Sequence, residues 1–120
     1  MSESDKFIYD IILEHISVCD ERFSSIKVPS DFVSTKEGKT ILDAIATRLQ
    51  AIGENIKRLL KRKPDLISRY PSINWNEIIQ FRDFISHHYE LLDYEIVYTI
   101  CKAHLPVLKD VLEKEISSNA

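Results

Sequence analysis

From about residue 35 to 62, apolar side chains return every three or four positions: Leu42, Ile45, Leu49, Ile52, Ile56 and Leu59. This near-heptad seam limits the fold more than any other feature of the chain. A long amphipathic helix cannot bury its stripe alone, so it predicts partner helices packed along it. Ser34 and Glu37 have capping-box spacing at its start, and the helix should stop just before Pro64 or kink there, since proline cannot continue a helix interior. Three further segments answer the demand for partners. Ile8, Ile12, Ile16, Cys19, Phe23 and Ile26 mark a helix over about 5–26, with Ser4 as its N-cap. After a short helical turn over 65–69, Asn74 and Glu77 cap a third helix running to His88 or Tyr89, with Ile73 and Ile78 as a hydrophobic staple. Val97, Ile100, Cys101, His104, Leu108 and Val111 form the stripe of a fourth, over about 93–116, which Pro106 should kink or split. The tail 117–120 reads as frayed. The expectation is all-α: an up-and-down four-helix bundle, one domain over residues 1–120, with a short extra turn and a Pro-kinked last helix.

At 120 residues the chain can bury one core but no deep enclosed pocket, so a site is expected in a shallow groove or between subunits. Gly38 and Gly53 are the only glycines, which leaves no glycine-rich phosphate loop. Cys19 and Cys101 lie far apart within apolar patterns and read as buried free thiols. His15 and His104 likewise fall on apolar stripes and read as core histidines. The start lacks a signal-peptide core and no apolar run approaches membrane-spanning length, so a cytoplasmic chain away from membranes is expected. The net charge of −3 gives no general reason to expect nucleic-acid binding. Locally, Lys57, Arg58, Lys61, Arg62 and Lys63 crowd one helix end. Such cations complement the helix dipole and stay solvated, or alternatively grip phosphate.

The third helix carries an anomaly. At about 100° per residue, Trp75, Ile78, Ile79, Ile85 and Tyr89 all fall within about 60° of Arg82. A guanidinium in the middle of an apolar stripe must find a partner, reach a wet groove or face another subunit. One reading is structural: a buried ion pair with a glutamate of a neighbouring helix, the stem packed on Trp75. The other is functional. Asp83 and His87, four residues apart, are expected to touch, the carboxylate setting the imidazole's tautomer. Arg, His and a supporting acid suit metal-independent RNA cleavage: the 2′-hydroxyl attacks phosphorus, His87 moves a proton and Arg82 stabilises the phosphorane. Adjacent His87 and His88 point about 100° apart and do not chelate one ion, so no metal and no other cofactor is expected.

Arg82, His87 and Tyr89 stand as R-x4-H-x-Y, and the chain here resembles the HepT-like family of HEPN ribonucleases. Ile52-Gly53-Glu54-Asn55-Ile56-Lys57-Arg58-Leu59, Tyr70-Pro71-Ser72-Ile73-Asn74-Trp75, Asp93-Tyr94-Glu95-Ile96-Val97 and His104-Leu105-Pro106-Val107-Leu108-Lys109 are similar to family stretches in the same order. Asp83 stands where the family often has Asn. The resemblance implies an HEPN bundle that forms a homodimer with both motifs lining a shared cleft. It implies a toxin that cleaves RNA with Arg82 and His87 as the catalytic pair and Asp83 in support, while Lys57, Arg58, Lys61 and Arg62 are candidates for holding RNA. It further implies a cognate minimal nucleotidyltransferase antitoxin that transfers AMP to Tyr89. The alternative is a non-catalytic helical module that serves as binding partner or substrate of such a nucleotidyltransferase.

Overall fold

The computed structural model describes residues 1–118. Helix α1 spans Glu3–Phe23, a 3-10 turn Pro29–Phe32, α2 Lys36–Arg62, α3 Leu66–Arg69, α4 Trp75–His88, a second 3-10 turn Tyr89–Leu91, α5 Tyr94–Thr99, a π-helical turn Ile100–His104 and α6 Leu105–Ser118. Among the described residues all regular structure is helical, as the periodicity requires. The long α2 is central, with α1 along one side and α4 along another, and α6 closes on α1. The α2 seam is the spine of the core: Ile45, Leu49, Ile52, Ile56 and Leu59 are buried, with Leu42 at the edge. Ile8, Ile12, Ile16 and Cys19 of α1 meet it. No helix among the described residues is long and apolar enough to cross a membrane.

Two expected caps move by one or two residues. Ser2, not Ser4, caps α1, its hydroxyl accepting from the Asp5 N–H at 3.1 Å. Thr35, not Ser34, caps α2: its hydroxyl accepts from the Gly38 N–H at 2.9 Å, whereas the Ser34 N–H is used by the preceding turn, donating to the Ser30 carbonyl at 3.0 Å. Helix α1 also stops short of Ile26, at Phe23, and the Asp31 carboxylate accepts from the N–H groups of Lys27 and Val28 at 2.8 and 3.1 Å, turning the chain there. Asn74 caps α4 as expected, accepting from the Glu77 N–H at 3.1 Å. The last helix runs through Ser118, so the expected tail is helical to that point; Asn119 and Ala120 lie outside the described residues.

Ahead of Pro106 the last segment is interrupted, as expected: α5 passes through the π-helical turn Ile100–His104 into α6. The proline has no N–H to donate and its ring would meet the carbonyl four residues back, so the preceding turn widens and the Leu105 N–H donates to the Ile100 carbonyl. This wide turn inserts a residue into the helical register. The buried line therefore passes from Cys101 to Leu105 and Leu108, and His104, expected in the core, is exposed. His15 is half-buried, its Nδ1 3.2 Å from Arg48 Nη1, and burial with the Arg48 charge draws its pKa below the usual value. Cys19 and Cys101 are free and buried, and burial pushes both thiols up to about 12.

The segment that leads into α4 is anchored by one buried acid. Glu115 of α6, 2% exposed, accepts from Arg69 Nη1 and Nη2 at 2.9 and 2.5 Å and from the Tyr70 hydroxyl at 3.0 Å. Trp75 Nε1 donates to the Tyr70 carbonyl at 3.2 Å, so the lock reaches the first turn of α4. The Arg69 hydrogen bond holds the Glu115 carboxyl below the ordinary glutamate range. A depressed folded-state pKa contributes stability above the unfolded value, and that stability is lost as pH falls through the folded one. Glu115→Ala should therefore cost about 3 kcal/mol at neutral pH, with the wild-type advantage shrinking below about pH 4. Thermal melts of both proteins at neutral and acid pH check this; equal melting temperatures at neutral pH contradict it.

Candidate active site

Helices α2 and α4 cross where Gly53 meets Arg82. A Cβ built on Gly53 would lie 2.4 Å from Arg82 Cβ and 2.9 Å from its Cγ, so the arginine stem occupies the space that the glycine leaves. The stem therefore rests on α2. Arg82 is half-buried, and its Nη2 pairs with Glu54 Oε2 at 2.5 Å while Nη1 donates to Asp83 Oδ1 at 2.9 Å. Its Nε is buried without a hydrogen-bond partner. The anomaly of the apolar stripe is thus resolved by two carboxylates, one from each helix.

Polar links continue along the crossing. Gln50 Nε2 donates to Ser86 Oγ at 2.8 Å, and the Tyr89 hydroxyl donates to Asp43 Oδ1. Arg82, Ser86 and Tyr89 form one line of α4, and Glu54, Gln50 and Asp43 form the facing line of α2, in antiparallel order. Burial and the Asp43 carboxylate push the Tyr89 phenol up to about 12, so it is neutral at physiological pH. The residue as a whole is nonetheless 42% exposed.

The expected Asp83–His87 contact is absent, because the Asp83 carboxylate turns to Arg82 instead. His87 is exposed and makes no hydrogen bond or ion pair with other described residues. His88 is also exposed, its ring 5.5 Å from that of Phe84 on the opposite side of α4. The wheel of α4 places His87 about 140° from Arg82, next to Asp83 at about 100°. Both sit on the solvent flank of the α2–α4 seam.

The basic run of α2 divides between two directions. Taking Gln50 as origin, Asp43, Glu54, Lys57 and Lys61 lie within about 40° of it, whereas Arg58 and Arg62 lie about 80° and 120° away. Arg58 donates to Asn55 Oδ1 at 3.2 Å, and Arg62 pairs with Asp5 of α1. Lys57 and Lys61 therefore lie on the side of α2 that faces α4, and Arg58 and Arg62 turn to the side opposite the apolar residues Leu49 and Ile52. On the other flank, Leu49 and Ile52 of α2, Phe81 and Phe84 of α4, and Ile96 and Val107 beyond line an apolar groove of about 870 Å³.

Sequence reasoning expected a glutamate of a neighbouring helix at Arg82 without identifying it as Glu54, and it missed Gln50 and Asp43. Gly53 was the available signal: glycine inside an otherwise strong helix costs about 1 kcal/mol and so implies a close approach there.

Comparison with known proteins gives a consistent answer. Residues 12–115 match the family described as Ribonuclease HepT-like. A protein of Methanocaldococcus jannaschii bearing the name "Putative RNase" is 32% identical over 92% of this chain and 88% of its own length. Another of that name from the same organism is 30% identical over 91% of this chain and 82% of its own. A "Probable ribonuclease HepT" of Thermococcus cleftensis is 29% identical over 95% and 97%. No solved structure matches the chain.

Proposed function

The chain belongs to the HepT-like ribonuclease family, and on that premise we propose that it is a metal-independent endoribonuclease, the toxin of a toxin–antitoxin pair. The observation that carries this reading is the meeting of Arg82 with the solvent flank on which His87 stands open. Arg82 stabilises the charge that develops on phosphorus, and Asp83 and Glu54 hold its guanidinium until a phosphate competes for it. His87 moves a proton: the O2′–P bond forms, the P–O5′ bond breaks, and the proton passes from the attacking hydroxyl or to the leaving oxygen. One histidine serves one of these transfers. A homodimer supplies a second His87. Digestion of RNA by the purified chain in the presence of a chelator tests the activity. Intact RNA under all conditions removes it.

The alternative, a non-catalytic module, draws on a specific observation: Arg82 is paired as a structural arginine would be. Both readings share a proposed partner, a minimal nucleotidyltransferase that modifies Tyr89. The Tyr89 oxygen attacks the α-phosphorus of ATP, the O–P bond forms, pyrophosphate leaves, and Asp43, which already accepts the hydroxyl, is placed to take the proton. Added phosphate charge beside Arg82 would repel the RNA backbone. Intact-mass spectrometry after incubation with the nucleotidyltransferase and ATP should show increments of AMP, absent from Tyr89→Phe. Unchanged labelling of that variant places the modification elsewhere.

A further inference from the structure

We propose that Glu54 is the positioning residue of Arg82, fixing its guanidinium throughout the reaction while Asp83 gives way to the phosphate; the inference rests on the ribonuclease reading. The two acids that hold Arg82 before substrate arrives are not equivalent. Glu54 Oε2 lies 2.5 Å from Arg82 Nη2 and is shut off from solvent where α2 meets α4. Asp83 Oδ1 accepts from Nη1 at 2.9 Å, but Asp83 belongs to the helix of Arg82 itself and its side chain is 50% exposed. A phosphate arriving from solvent meets the Asp83 side of the guanidinium and cannot reach the buried Glu54 oxygen. The anion therefore exchanges with Asp83 and leaves the Glu54 pair in place.

Two consecutive residues of α2 receive the whole arginine side chain. Gly53 leaves the space that Arg82 Cβ and Cγ fill, and Glu54 takes the far end of the same side chain. One turn earlier on α2, Gln50 Nε2 donates to Ser86 Oγ, one turn further along α4, at 2.8 Å. This second link ties the register of the two helices, so the Glu54 carboxylate stays opposite Arg82. Arg82 Nε is buried and makes no hydrogen bond. With Asp83 displaced, Glu54 is then the one described group left to set the plane of the guanidinium. Stabilising the charge of the phosphorane requires donors that are already aimed before that charge develops, and Glu54 does the aiming.

Steady-state cleavage of a short RNA by three variants separates position from charge. Glu54→Ala should lower kcat about 10–100-fold, the effect of displacing a catalytic group by about 1 Å. KM should stay within about threefold, because Glu54 touches Arg82 and not the RNA. Glu54→Gln keeps an acceptor oxygen at the same reach and should return kcat to within about threefold of wild type. Glu54→Asp keeps the charge but draws it back by one carbon–carbon bond, about 1.5 Å, and should behave like Glu54→Ala. Each variant is assayed well below its own melting temperature, measured by circular dichroism. Faster cleavage by Glu54→Ala would make Glu54 a competitor of the phosphate and overturn the inference. Wild-type kcat in Glu54→Ala overturns it too, as does an aspartate variant more active than the glutamine variant, since charge would then outweigh position. A loss of rate confined to variants that are already unfolding overturns it in favour of a structural pair. Failure of this pattern in a chain that cleaves RNA removes the inference alone, whereas a wild type that leaves RNA whole removes the ribonuclease reading and the inference with it.

Discussion

His87→Ala is expected to lower RNA cleavage by about 10²–10⁴-fold, the usual worth of a general acid or base. The structure makes this substitution unusually clean. His87 is exposed and bonded to no other described residue, so its loss opens no cavity and strands no buried partner. Stability should stay within about 0.5 kcal/mol of wild type, as for surface changes away from special features. A large fall in cleavage with an unchanged melting curve is a combination that the non-catalytic reading cannot produce. Wild-type cleavage by His87→Ala would remove the proposed mechanism. Arg82→Ala is less discriminating, because it also leaves Glu54 without its partner at the helix crossing.

The second large effect is expected at a residue with no chemistry of its own. Gly53→Ala should destabilise the protein by about 1–3 kcal/mol, the usual range for overpacking. Helix propensity alone argues the other way, favouring alanine by about 1 kcal/mol. Sterics decide the sign, because the new methyl would lie 2.4 Å from Arg82 Cβ, well inside contact distance, and its neighbour is the rigid start of a side chain. The helices must separate, and Arg82 moves with α4. A displacement of about 1 Å at a catalytic group can cost about 10²-fold in rate, so cleavage should fall even where the variant is folded. Thermal melts and RNA digests of Gly53→Ala measure both. Greater stability than wild type would mean that the crossing yields more easily than its geometry implies.

Much of the architecture was legible from spacing. The α2 seam, the Pro64 stop, the Asn74 cap and the all-helical class follow from local rules acting on adjacent residues. The misses have local causes too. Ser34 and Thr35 are both competent caps, and the choice between them depends on which N–H the preceding 3-10 turn leaves free. His104 was placed in the core because a strict 3.6-residue period was carried through Pro106, where the chain instead widens by one residue.

The candidate site divides along the same line. Arg82 declared itself in the sequence, because a charge on an apolar stripe conflicts with its surroundings in any fold. Which groups relieve that conflict could not be read there. Glu54 lies 28 positions before Arg82 and on another helix, and only the antiparallel crossing at Gly53 brings them together. Asp83, expected on His87, turns instead to Arg82, its neighbour on the same helix. Periodicity reports which face of a helix is apolar, because burial is a one-body preference. Pairings of polar groups depend on the rotation and separation of two helices, and those arise from tertiary packing.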